Sequence, residues 1–87
     1  MIQKEIASSG EWKTTTIYLT KTKYICKGDD GNGSRDILIR PRQKAIALCN
    51  YTLNHPDGST TGQLEAARFV RDNVSEEEWA MGILESL

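Results

Sequence analysis

The hydrophobic period of this chain changes once, at Pro41, and that single change limits what the chain can fold into. Before Pro41 the pattern repeats at every second position, the period of a strand with two unlike faces. In the segment 11–20, Ile17 and Leu19 share one face, while Trp12, Thr14, Thr16, Tyr18 and Thr20 share the other. Lys23 to Lys27 alternates again, with Tyr24 and Cys26 opposite Ile25, and Ile37 and Ile39 share one face of the segment 35–40. Ile2 to Ala7 can pair as a first strand across Ser8-Ser9-Gly10. Lys21-Thr22 is a turn without glycine, so the segments on either side read as a hairpin or as one long bent strand. Gly28 to Ser34 is the strongest loop signal in the chain.

After Pro41 the spacing becomes helical. Pro41 suits a first helical turn, where its missing N–H costs nothing. Ala45, Leu48, Cys49, Thr52 and Leu53 follow at i, i+3 and i+4, with Ile46 at the margin of the stripe, and Asn54-His55-Pro56-Asp57-Gly58 ends the helix. Thr60 with Gln63 forms a capping box for a second helix whose stripe is Leu64, Ala67, Val70 and Val74, with Phe69 beside it. Ser75 caps a third helix, Glu78 completes its box, Val74 and Trp79 form a hydrophobic staple, and Trp79, Ile83 and Leu87 mark its buried side. Gly82 in that helix costs about 1 kcal/mol relative to alanine, so either the helix is short or the glycine lets another backbone approach closely. Gly62 weakens the start of the second helix in the same way.

Strands first and helices afterwards predict an α+β fold. The expected form is an antiparallel three- or four-stranded meander followed by two or three helices packed on one face, in a single domain spanning residues 1–87. The other face stays bare, and the alternation assigns it Trp12, Thr14, Thr16 and Tyr18. Lys13, Lys21, Lys23 and Lys27 read as guards against edge-to-edge pairing.

At 38% hydrophobic and 26% charged residues the chain is too apolar for a disordered tail and too polar for a membrane protein. Its opening residues lack the apolar stretch and cleavage site of a signal peptide, so a cytoplasmic location is expected. In that setting Cys26 and Cys49 read as buried thiols rather than a disulfide. The net charge of −1 hides an uneven distribution. Up to Lys44 there are nine basic residues against five acidic ones, and after it two against seven, a swing from +4 to −5. Such asymmetry suits either a charged partner or a basic sheet lying against acidic helices.

Candidate chemistry is sparse. His55 stands with Asp57 and Ser59 in a turn, a spacing that supplies no oxyanion hole; a histidine there more simply meets the negative end of a helix. Asp30, Asn32, Ser34 and Asp36 resemble the first half of a calcium loop, but Arg35 and Pro41 stand where that loop needs glycine and glutamate. Cys26, Cys49 and His55 lack zinc-ligand spacing. Gly28, Gly31 and Gly33 precede a strand rather than the helix that a phosphate loop needs. No catalytic residue, metal or cofactor is therefore assigned.

What remains is contact. The expectation is a non-enzymatic protein-binding module, similar in size and type to small regulatory or inhibitory proteins of bacteria and their phages, acting on a larger and possibly nucleic-acid-handling complex. The candidate contacts are Trp12, Tyr18, Arg40 and Arg42, or the acidic set Glu76, Glu77 and Glu78 with Glu85. Direct nucleic-acid binding through the basic sheet and first helix is the alternative, weakened by the near-neutral net charge and by the three glutamates that would open a recognition helix. No membrane is expected as a partner, and an open edge or face leaves room for a homodimer.

Overall fold

A computed structural model describes residues 1–8 and 12–85. Four strands, β1 (Ile2–Ile6), β2 (Thr14–Leu19), β3 (Lys23–Asp29) and β4 (Arg35–Pro41), are followed by α1 (Arg42–Asn54), one 3-10 turn at Pro56–Gly58, α2 (Thr61–Asp72) and α3 (Glu76–Glu85). The strands lie in chain order in one sheet, and each is antiparallel to the next. The expected α+β meander with helices on the sheet is what forms. Ser9 and Gly10, across which the first two strands are expected to pair, lie outside the described residues, as do Glu11 and Leu87.

Local chemistry explains each connection. β2 and β3 are separate strands, and a threonine side chain does what glycine would do at Lys21-Thr22. The Thr20 Oγ1 accepts from the Lys23 amide at 2.9 Å and the Thr22 amide at 3.3 Å, while the Thr20 amide donates to the Lys23 carbonyl at 2.9 Å. The β3–β4 loop is held by its own aspartates. Asp29 accepts from the Gly31 amide at 2.7 Å, and one oxygen of Asp30 accepts from the amides of Asn32 and Ser34 at 2.8 and 3.1 Å. Gly31 and Gly33 take φ of 82° and 96°, which side chains disfavour. At the start of α2 both halves of the capping box form, Gln63 N–H to Thr60 Oγ1 and Thr60 N–H to the Gln63 side chain. At α3 the Ser75 hydroxyl accepts from the Glu78 amide at 3.1 Å.

The core lies between the inner face of the sheet and the helices. Ile46 and Cys49 of α1, Ala67 and Val70 of α2 and Trp79 of α3 form one cluster, against which Tyr24 of β3 packs, and Ile17 and Leu19 of β2, Ala45 of α1 and Ala66 of α2 are buried as well. Ile17, Leu19, Ile46 and Val70 are fully buried, each stabilising the fold by about 1.5–3 kcal/mol. The stripe expected on α1 is rotated. Ile46 is central and fully buried, whereas Leu48 is 56% exposed. The reason is tertiary: α1 packs against both α2 and α3, and Gly82 of α3 opens a notch that Ile46 fills. A methyl added at Gly82 would lie 2.6 Å from Ile46 Cγ2 and 3.2 Å from the Gln43 carbonyl oxygen. The close backbone approach expected at Gly82 is thus present. Gly62 serves similarly against the Ala7 carbonyl. Pro41 closes β4 and precedes α1 rather than entering its first turn.

Candidate functional site

Register places the side chains of the sheet on its two faces. Ile17 stands opposite Lys4 and Cys26, and Cys26 opposite Leu38, so these lie on the helix-covered face together with Leu19, Tyr24, Gly28, Asp36 and Arg40. On the other face one row across the strands reads Gln3, Tyr18, Ile25, Ile39, and the next reads Glu5, Thr16, Lys27, Ile37. The helices among the described residues pack on the first face only. Tyr18 and Ile25 are half-buried by their neighbours, and Ile37 and Ile39 are 54% and 53% exposed. The surface is an apolar row flanked by Lys23 and Lys27, with the Asp29–Arg35 ion pair (3.4 Å) at its margin.

The sequence-derived contact residues separate in space. Tyr18 is on the uncovered face as expected, but Trp12 is on the opposite one. A side chain at Gly28 would meet the Trp12 ring at 2.9 Å, and Trp12 shares a shallow hollow with Thr15, Cys26 and Leu38. Alternation assigned Trp12 to the Tyr18 face, yet it holds only while the chain stays extended, and the backbone bends at Lys13.

Arg40 and Arg42 also part. Arg40 is exposed, lining a groove of ≈ 330 Å³ with Lys44, Ala47, Leu48 and Glu85. Arg42 is drawn inward. Its Nε donates to Glu78 Oε2 at 2.6 Å, its Nη2 to Oε1 at 2.9 Å, and its Nη1 to the Thr20 carbonyl at 2.7 Å. The carboxylate of Glu78, expected to complete the α3 capping box, is engaged by this guanidinium. Glu76 and Glu77 stay exposed in the first turn of α3, where they favour the positive helix end.

The remaining candidates have local partners. The His55 ring stacks on Tyr51 with centroids 4.1 Å apart, and its Nδ1 lies 2.9 Å from the Tyr51 carbonyl, so the Nδ1–H tautomer satisfies that helix end. The Ser59 hydroxyl donates to the His55 carbonyl at 3.0 Å. The backbone amides donating to Asp30 hold its carboxyl below the usual range, Asn32 first, so the residues resembling a calcium loop serve to shape a turn. Among the described residues no group of three or more His, Cys, Asp or Glu is placed to hold a metal ion, and no helix is long and apolar enough to cross a membrane. Cys26 and Cys49 are both free thiols, and burial pushes that of Cys49 up to about 12.

No known protein family, curated protein or solved structure matches this chain. The functional reading therefore rests on surface geometry, and beside Tyr18 that surface is made by Ile25, Ile37 and Ile39, which the sequence did not single out as contacts. Ile37, Leu38 and Ile39 form a run of three apolar residues, which ordinarily marks a strand buried on both faces. Here every residue of β4 is exposed. The signal was visible as an uninterrupted apolar triplet between Asp36 and Arg40, but it pointed to the interior.

Proposed function

We propose that this domain is a non-enzymatic protein-binding module of the regulatory or inhibitory kind, holding its partner on the uncovered sheet face. The observation that carries this reading is the row Tyr18–Ile25–Ile39 with Ile37 beside it, an apolar surface on a rigid sheet left open to water. Contiguous exposed apolar patches rimmed by polar groups are typical of interaction surfaces. Tyrosine and isoleucine there supply buried area, and Lys23 and Lys27 favour a partner with an acidic rim, speeding encounter more than adding affinity. The nucleic-acid alternative is less well supported, because Arg42, one of its basic candidates, is already neutralised by Glu78.

Affinity purification from the source cells, with and without nuclease, tests the reading. A stoichiometric protein should be recovered in both cases. Tyr18→Ala combined with Lys27→Glu, with the far-ultraviolet dichroism unchanged, should lower its recovery at least tenfold. Recovery of nucleic acid alone, lost as salt rises, would replace this proposal with the alternative.

A further inference from the structure

The free edge of the sheet is self-complementary. We infer that β4 is a self-recognition strand, through which two copies of this chain pair antiparallel about a two-fold axis at Leu38. This is distinct from the partner proposed for the open face, since it concerns a second copy of the chain and the backbone edge of β4, although Ile37 and Ile39 lie in both surfaces.

The backbone supplies the seam. Arg42 N–H donates to the Thr22 carbonyl, and Tyr24 stands opposite Arg40 and Cys26 opposite Leu38. Peptide groups alternate in direction along a strand. Those of Asp36, Leu38 and Arg40 therefore face β3, while those of Arg35, Ile37 and Ile39 point outward from the last strand of the sheet. With the axis at Leu38, Ile37 of one copy meets Ile39 of the other as a hydrogen-bonded pair at both ends of the seam, and each Arg35 N–H meets a Pro41 carbonyl. That makes about six bonds. Pro41 has no N–H to give, so the Arg35–Pro41 pair at each end makes one bond where the ladder would make two, and the Arg35 carbonyl there is left to water.

The side chains agree with the same axis. Asp36 falls opposite Arg40 of the second copy, twice, at non-hydrogen-bonded positions where Cα atoms approach to about 4.5 Å. Both lie on the helix side, together with Leu38 against its own copy, while Ile37 and Ile39 pair on the open face. Moving the axis to Ile37 or Ile39 sets Asp36 against Leu38 or Arg42 and loses the pairing of Asp36 with Arg40. Among the described residues of the single chain, the Arg40 side chain makes one bond, at 3.3 Å to the carbonyl of its neighbour Ile39. The other edge is not built this way. An axis at Lys4 of β1 would oppose Lys4 to itself, and the chain just beyond β1 is tied to α2 by the Ala7 amide and Glu65.

Some of the usual protections of an edge are absent from β4. It contains no lysine, pairs with β3 without a bulge, and has its proline only at the end, while its inward charges Asp36 and Arg40 are the ones that this axis sets opposite each other. Lys23 and Lys27 sit on the interior strand β3, Lys21 in a turn and Lys13 ahead of the interior strand β2, so the four lysines expected to guard an edge do not lie on one.

Sedimentation velocity on the purified chain from 1 to 300 µM, with amide hydrogen exchange on the same samples, tests the inference. A dimer is expected whose Ile37 and Ile39 amides become protected as concentration rises. Asp36→Arg and Arg40→Asp should each weaken association tenfold or more, by setting like charges opposite one another, and the double exchange Asp36→Arg/Arg40→Asp should restore it. Ile39→Pro, which removes an outward N–H without touching the β3 ladder, should abolish it. A chain that stays monomeric at 300 µM, or a dimer indifferent to these substitutions, overturns the inference. A monomer that still loses its captured partner on Tyr18→Ala/Lys27→Glu would leave the open-face proposal standing alone.

Discussion

Arg40 and Arg42 sit two positions apart with the same chemistry, and the fold gives them opposite roles. The planar guanidinium of Arg42 meets both oxygens of Glu78 and still has a nitrogen for the Thr20 carbonyl, so one side chain joins the β2–β3 turn, α1 and α3. The Arg42 side chain is 19% exposed and that of Glu78 30%, which lifts the pair above the near-zero worth of a fully solvated ion pair. Arg42→Ala should lower stability by about 1–3 kcal/mol, because it leaves the Glu78 carboxylate partly desolvated and unpaired. Arg42→Lys should recover less than half of that loss, since an ammonium cannot reproduce the two-pronged contact. Urea unfolding of the two variants reads both values directly. The difference between the two arginines was not legible in the sequence, because the residue that decides it is 36 positions away. The same holds for Glu78, whose local spacing announces a cap and whose carboxylate is taken by a distant cation.

At the scale of elements, local signals were dependable where the physics is local. The capping box at Thr60 and Gln63, the cap at Ser75, the glycine loop and the alternation of β2 and β3 depend on neighbours within a few positions, and they form as read. Two features failed for identifiable reasons. Trp12 crossed to the other face because a bend at Lys13 breaks the period, and Ile46 rather than Leu48 entered the core because α1 has helices on two sides. Gly82 makes that second point measurable. On propensity alone, Gly82→Ala should stabilise α3 by about 1 kcal/mol. The new methyl would stand 2.6 Å from Ile46, a fully buried side chain with no space to yield. Overpacking of this kind costs about 1–3 kcal/mol, so the net effect should be a loss of stability and a lower thermal midpoint. Ile46→Val in the same background should return part of it. A midpoint raised by Gly82→Ala would mean that the two helices are more loosely joined than their geometry indicates.

Across the whole molecule, the layer between sheet and helices carries three acids that burial keeps protonated. Desolvation raises Tyr24 and Cys26 above their ordinary values and lifts Cys49 from 9 to about 12. All three shifts have one sign: the native state holds protons that the unfolded chain would release. Stability should therefore be level from neutral pH to about pH 8.5 and fall as pH rises from 9 toward 12. Urea midpoints across that range check this, and Cys49→Ala should start lower at neutral pH but decline less steeply. Order along the chain has a further effect. Each strand bonds to its immediate successor, so the sheet can assemble by short-range closures alone. Joining Ala7 to Glu65 spans 58 positions and costs about 2 kcal/mol more in chain entropy than closing a hairpin. The zipper from β1 to α2 is thus placed to shut last during folding and to part first on opening, leaving the amino-terminal strand as the natural point of fraying.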